Sequence, residues 1–307
     1  MSADLQVAVG PLALKNPVLV ASGTFGYGEE FAPYFDLSIL GGVVTKTITL
    51  EPRAGNPPPR IAETTAGMLN SIGLANVGVE AFIRDKLPFL QQFSTAIIVN
   101  VAGRSAEEFQ AVLRRLEESE LRIDAYELNY SCPNVKEGGM AFSANPHVAH
   151  AVTSTLRKVT TRPLIAKLTP NVTNIAEIAR AVAEAGADAV SAINTLLGMA
   201  VDYRTRRPKL GSIVGGLSGP AIKPVALAKV WEIKKAVDIP IIGIGGIQSY
   251  EDVLEFMIVG ASAVQVGTAN FVVPDCAARI VRDLEKYCDQ EGISRVADLI
   301  GTLQVST

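Results

Sequence analysis

The chain is poor in cysteine, and the cysteine it has is scattered. Cys132, Cys276 and Cys288 are the whole set in 307 residues. They form no CxxC pair and no His/Cys cluster, which argues against a structural zinc site. An odd, sparse set also argues against a disulfide framework and suits a reducing compartment. No stretch of about 18 apolar residues occurs, so no membrane span is expected. The first residues carry the acidic Asp4 and lack a basic region followed by a long apolar run. No signal peptide is expected, and the expected location is cytoplasmic. A net charge of -3 gives no general attraction for nucleic acid or an anionic membrane. With Gly 26 and Pro 17, the composition excludes collagen-like and low-complexity classes.

What is present is a large apolar fraction, 48% hydrophobic against 19% charged, enough for a sizeable core. Short β-branched runs alternate with helical patterns. The runs are Val18–Ala21, Gly42–Thr45, Ala96–Val101, Ala125–Asn129, Leu164–Leu168, Ala189–Ile193, Ile241–Ile244 and Ala263–Val266. Near-continuous apolar strands are what a parallel sheet covered by helices requires. Helical periodicity is clear in Ala106–Glu118, where Phe109, Val112, Leu113 and Leu116 share a face. Ser105 is placed as its N-cap, with Glu108 completing a capping box. Ile175–Ala185, Pro224–Val237 and Tyr250–Val259 repeat the pattern, the first stopping at Gly186.

Eight βα units without an internal linker predict a single domain over residues 1–307, a (β/α)8 TIM barrel. Two long insertions, Leu50–Val79 and Leu196–Gly219, read as loops at its C-terminal face, where such barrels build their sites. The second holds Arg204, Arg206, Arg207 and Lys209. That cluster reads first as a solvated surface, with docking of a partner or loop closure as the alternative.

Strand seven ends in Gly243-Ile244-Gly245-Gly246 and strand eight in Gly267-Thr268. Glycines at these two strand ends let backbone N–H groups approach a phosphate, although tight turns also use glycine. Lys46 and Lys167 end strands two and five inside apolar runs. Each reads either as a stem that packs while its head reaches solvent, or as a cation aimed into the barrel mouth. Cys132 sits in Asn129-Tyr130-Ser131-Cys132-Pro133-Asn134, just after strand four. A lone cysteine can be a small buried hydrophobe. On a polar loop at the catalytic end, a thiol of pKa about 8.5 can instead serve as a base. Asn70, Asn100, Asn129, Asn134 and Asn194 gather at strand ends and loops. Any one can be a turn residue; several together suit a planar ligand with amide edges.

These segments resemble the class 1B dihydroorotate dehydrogenases essentially end to end. The resemblance runs through SGTFGYG at 22–28, KTITLEPRAGNPPPR at 46–60, GMLNSIGL at 67–74 and NYSCPNVKEGG at 129–139. It continues through AKLTPNV at 166–172, NT at 194–195, GGLSG at 215–219, GIGGI at 243–247 and VQVGTAN at 264–270. Tyr130 and Ala75 are less usual choices at variable places.

The resemblance implies one FMN per chain, contacted by Ser22, Lys46, Thr47, Asn100, Asn129, Lys167, Ile193, Gly219, Gly245, Gly246, Gly267 and Thr268. It implies dihydroorotate held by Lys46, Asn70, Ser71, Ile72, Gly73, Leu74, Asn129, Asn134, Asn194 and Thr195. Cys132 takes the place of the family's catalytic base, removing a proton from C5 while a hydride leaves C6 for flavin N5. Lys167 is implied beside the flavin N1/O2 edge. Electrons then pass to NAD+ through a partner subunit carrying FAD and a 2Fe-2S cluster, in a complex of two catalytic and two electron-transfer subunits. Too few cysteines are present for a cluster in this chain itself. Cys276 and Cys288, taken as surface positions in a helical setting, read as bystanders.

Three rival readings are weighed against this one. A class 1A enzyme reduces fumarate directly, but VKEGG after the cysteine loop looks like class 1B. A tRNA dihydrouridine synthase-like flavin enzyme also carries a cysteine beside proline, but the net charge of -3 counts against it. A catalytically dead barrel that only binds a phosphorylated ligand is the third.

Overall fold

In the computed structural model, residues 3–130 and 144–305 are described. All eight apolar runs form strands: β1 (Val18–Val20), β2 (Gly42–Val44), β3 (Ala96–Val101), β4 (Ala125–Asn129), β5 (Leu164–Leu168), β6 (Ala189–Ala192), β7 (Ile241–Ile244) and β8 (Ala263–Val266). Every pairing is parallel, and β8 pairs with β1, so the sheet closes into a barrel. Side chains inside and helices outside bury nearly every strand residue, which is why the runs lack polar alternation.

Six long helices are described: α1 (Ala106–Glu117), α2 (Pro146–Arg157), α3 (Ile175–Glu184), α4 (Lys223–Lys234), α5 (Tyr250–Ile258) and α6 (Cys276–Glu291). On α1, Phe109, Val112, Leu113 and Leu116 are buried, each burial contributing on the order of 1.5–3 kcal/mol. Its cap is half of the expected box. Ser105 Oγ accepts from the Glu108 N–H at 3.3 Å. The Glu108 carboxylate accepts from the Arg104 N–H at 2.6 Å, and Arg53 lies 3.7 Å from its other oxygen. Helix α3 is capped by Asn174, and the chain leaves it at Gly186 with φ +97°.

Cys276 and Cys288 are not surface residues. Both lie on the inner face of α6, buried with Ile280, Val281 and Leu284. They act there as small hydrophobes, the commonest use of a free thiol. No helix of the described residues is long and apolar enough to cross a membrane.

The two ends of the barrel differ. An antiparallel hairpin, Val7–Val9 with Leu12–Leu14, packs near the N-terminal end. A Cβ on its turn residue Gly10 would lie 3.0 Å from the Asp188 carbonyl, just before β6. At the C-terminal end the two insertions are not simple loops. Ile61–Thr64, Gly67–Asn70, Val214–Ser218 and Leu196–Met199 build a four-stranded antiparallel sheet. Backbones approach closely there: a Cβ on Gly67 would come within 2.0 Å of the Ser218 carbonyl oxygen. The sheet pairs Gly67–Asn70 with Val214–Ser218, far apart in sequence, and its strands are short and glycine-rich, so their local pattern reads as loop.

Candidate active site

The C-terminal ends of the strands open into a cavity of about 380 Å³, walled in part by the insertion sheet through Ile61, Met68, Asn70 and Ser218. Ser22, Lys46, Thr47, Asn129, Lys167, Ile193, Gly219, Gly245, Gly246, Gly267 and Thr268 all line it. So do Asn70, Ser71, Ile72, Gly73, Leu74, Asn194 and Thr195. Asn100 does not line it: fully buried on β3, it donates Nδ2 to Glu127 at 2.6 Å. Cys132 and Asn134 lie outside the described residues.

After β7 and β8 the wall is a cradle of backbone. Gly245 and Gly246 have φ of +134° and +74°, conformations that favour glycine. Gly267 is glycine for a different reason. Its φ is ordinary, and a Cβ would meet nothing nearer than Ala21 Cβ at 3.7 Å. The chain's own packing therefore tolerates a side chain at 267, and the missing methyl leaves cavity space. No hydrogen bond among the described residues uses the N–H groups of Gly246, Gly267 or Thr268. Backbone donors left unused beside a cavity are suited to an anion such as phosphate.

Two lysines face the same space in different settings. Lys167, on β5, is buried, with Nζ 3.3 Å from Ser22 Oγ and 3.4 Å from Glu127 Oε1. Lys46, two residues beyond β2, is half-buried and makes no ion pair with the described residues. Burial pushes its ammonium below the usual lysine range; Glu30 opposes that shift and Arg60 adds to it.

The segment from Asn70 to Leu74 is clamped from behind. Asn56 donates Nδ2 to Ser71 Oγ at 2.7 Å, and its N–H reaches the Ile72 carbonyl at 3.0 Å. Buried Asn76 donates to the Leu74 carbonyl at 2.8 Å and accepts from the Gly78 N–H at 2.8 Å. Leu74 is thereby held at φ +55°, which a leucine seldom adopts unaided. Asn129 Nδ2 lies 3.3 Å from Thr47 Oγ1, and Asn194 Oδ1 accepts from the Thr195 N–H at 2.8 Å.

Sequence reading missed Asn56 and Asn76, and the polar set under the cavity: Glu127, Ser191 and Gln265. The signal for Glu127 and Gln265 was the one that marked Lys167, a polar residue inside an apolar strand.

Fold and cavity together define the class: an α/β-barrel enzyme with room for a phosphorylated cofactor beside a small polar substrate. Within that class the family is specific. The dihydroorotate dehydrogenase family model matches residues 4–288, and the chain belongs to that family. It is 54% identical over 300 residues to the dihydroorotate dehydrogenase B (NAD(+)) catalytic subunit of Geotalea uraniireducens, covering 98% of each chain. With the protein of the same name from Pelobacter propionicus it shares 53% over 304 residues, 99% of this chain and 100% of that one. The crystal structure of DHODH from Eimeria tenella in complex with ferulenol superposes with a TM-score of 0.81. At 23% identity, over 97% of this chain and 88% of that one, the likeness is one of fold.

Proposed function

We propose that this chain oxidises dihydroorotate to orotate in pyrimidine biosynthesis, as the catalytic subunit of an NAD+-linked enzyme, with FMN in the mouth cavity and Cys132 as base. The relatives that match it end to end carry the name of that activity. One observation carries the reading: a single cavity joins an unused backbone cradle, two lysines and a set of amide side chains.

FMN fits these residues. Gly246, Gly267 and Thr268 offer free amides to its phosphate, and the absent side chain at 267 leaves room. Bound there, FMN supplies the two-electron acceptor that no side chain of this chain provides. Lys167 lines the same cavity and would supply positive charge to the ring of the bound cofactor. Ser22, Thr47, Ile193, Gly219 and Gly245 complete its surroundings, and Asn100 contributes from the layer beneath.

Substrate recognition falls to Asn70, Asn129, Asn134 and Asn194, whose amides pair with the ring's donor and acceptor edges. Lys46 meets the substrate carboxylate, and the clamped segment from Ser71 to Leu74, with Thr195, shapes the pocket. Cys132 accepts the proton from C5, a role that typically contributes about 10²–10⁴-fold. On the class 1B resemblance the partner carries FAD and a 2Fe-2S cluster; the three scattered cysteines of this chain lack the spacing to ligate such a cluster. Two catalytic and two electron-transfer subunits form the working complex, in the cytoplasm.

Substitution of the thiol tests the assignment. Cys132→Ala is expected to retain FMN and lose most turnover at neutral pH, while Cys132→Ser regains activity as pH rises. Wild-type turnover in the alanine variant contradicts the base assignment. An assay of the chain with fumarate, and of the reconstituted complex with NAD+, separates the two acceptor classes.

A further inference from the structure

Beneath the cavity lies a carboxylate that the reaction as described does not use. Glu127, in the middle of β4, has no solvent exposure. Its Oε1 accepts from Asn100 Nδ2 at 2.6 Å and faces Lys167 Nζ at 3.4 Å. Its Oε2 accepts from Ser191 Oγ at 2.8 Å and from Gln265 Nε2 at 2.5 Å. The donors come from β3, β5, β6 and β8, so one side chain ties five strands of the barrel.

The pattern of donors shows what Glu127 carries. Amide NH2 groups only donate, so a side chain receiving two of them, a hydroxyl and an ammonium is an acceptor on both oxygens. Both amides give their NH2 to Glu127 while their own buried carbonyl oxygens, Asn100 Oδ1 and Gln265 Oε1, have no partner. Leaving two buried acceptors unmade is costly, and a full negative charge at Glu127 is what outweighs it. Among the described residues, the cation paired with that charge is Lys167, which lines the cavity above.

We propose that Glu127 is a positioning residue for the reaction: it fixes Lys167 as a cation at the floor of the cofactor cavity. The inference rests on the reading that FMN occupies that cavity. Because Glu127 is held by three neutral donors, its charge stays in place while the charge on the cofactor changes. Lys167 is thus charged before the electrons arrive. It need not acquire a proton as they do, and reduction is met by an arrangement already in position.

The test removes the counter-charge and counts protons. Among the described residues, Glu127 from β4 and the Ser22 hydroxyl after β1 face Lys167, and Lys46 is the other cation that lines the cavity. No other carboxylate of the described residues pairs with Lys167. In Glu127→Gln the buried ammonium of Lys167 loses its counter-charge, and burial then favours the neutral amine while FMN is oxidised. When two electrons enter, the negative charge gained draws a proton onto Nζ. In wild type, reduction would bring two electrons and one proton, the proton going to the flavin; in the variant a second proton would be taken up, by Lys167 Nζ.

The readout is the midpoint potential of FMN in the full chain, titrated against pH with a chemical reductant and mediators. The expected result is a potential that falls twice as steeply with pH in Glu127→Gln as in wild type. The steeper slope is expected to vanish in Glu127→Gln/Lys167→Met. An unchanged slope in Glu127→Gln overturns the proposal. If Glu127→Gln does not fold but the double variant does, the unmatched Lys167 charge is the cause, and the pairing is supported. If neither folds, Glu127 serves the barrel through Asn100, Ser191 and Gln265 alone, and the proposal falls. Wild-type protein that takes up no FMN overturns the cofactor reading and this inference with it, whereas yellow wild type with an unchanged variant slope overturns this inference alone.

Discussion

The floor and the rim of the cavity handle positive charge in opposite ways. On the floor, Lys167 is buried against Glu127, which four strands supply with donors. On the rim, Lys46 has no ion pair with the described residues, and burial, with a smaller push from Arg60, depresses its ammonium against the pull of Glu30. A charge needed throughout the reaction is matched by the protein itself. One needed only when substrate is bound can be left for the substrate to match. The barrel strands suit the first task because their inward side chains are locked by neighbours; the less confined segment just beyond a strand end, where Lys46 sits, suits the second.

Breaking the floor should have the largest effect. Lys167→Ala leaves the Glu127 carboxylate buried without its cation, a change that typically costs about 3–5 kcal/mol. Denaturant unfolding is expected to show a loss of that order together with weakened flavin retention. Lys167→Met combined with Glu127→Gln should recover much of the stability but not the flavin behaviour. If Lys167→Ala unfolds at the wild-type midpoint, the floor is not an ion pair of consequence.

The rim should respond differently. Lys46→Ala breaks no ion pair of the described residues, so stability should change little. Losing a charge-assisted contact of about 1.5–3 kcal/mol should raise KM for dihydroorotate roughly 10- to 150-fold. Equal KM values in variant and wild type remove Lys46 from the substrate site.

The acid–base behaviour of the rim gives a smaller, signed effect. A lysine is charged below its pKa, and burial has moved that pKa down, so the charged window closes from the alkaline side. KM for dihydroorotate should therefore climb on the alkaline side at lower pH than an ordinary lysine would dictate. The rise should be absent in Lys46→Ala. A KM flat across the alkaline range contradicts the pairing of Lys46 with the substrate carboxylate.

Smallest is the effect of the clamp behind the rim. Asn76→Ala removes the bonds to Leu74 and Gly78 and those to Thr49, and typical hydrogen bonds contribute about 0.5–1.5 kcal/mol each. A few-fold rise in KM with unchanged FMN content is the expected outcome, since Asn76 does not line the flavin cradle. Loss of FMN instead places that segment on the cofactor side.

What could be read from sequence divides along the same line. The eight strands were legible because parallel strands buried on both faces leave a local mark, unbroken β-branched runs. Helix α1 was equally plain from the spacing of Phe109, Val112, Leu113 and Leu116. The insertion sheet was not legible. Its strands pair Gly67–Asn70 with Val214–Ser218, and nothing local marks a partner so distant. At the site, the two lysines and the strand-end glycines stood out as polar or small residues inside apolar strands. Glu127 and Gln265 gave the same signal and were passed over, because their meaning appears only once β3, β4, β5, β6 and β8 are brought around them. Asn56 and Asn76 could not be recognised, since asparagine in a loop is ordinary and only the fold shows what each one holds.

Anaerobic mixing of the protein with dihydroorotate, followed by flavin absorbance, is the most direct test of Cys132 as base beside a bound flavin. Yellow protein whose flavin bleaches on mixing is expected, with a Cys132→Ala variant that is equally yellow but bleaches far more slowly at neutral pH. Yellow wild-type protein whose flavin stays oxidised under dihydroorotate would contradict it.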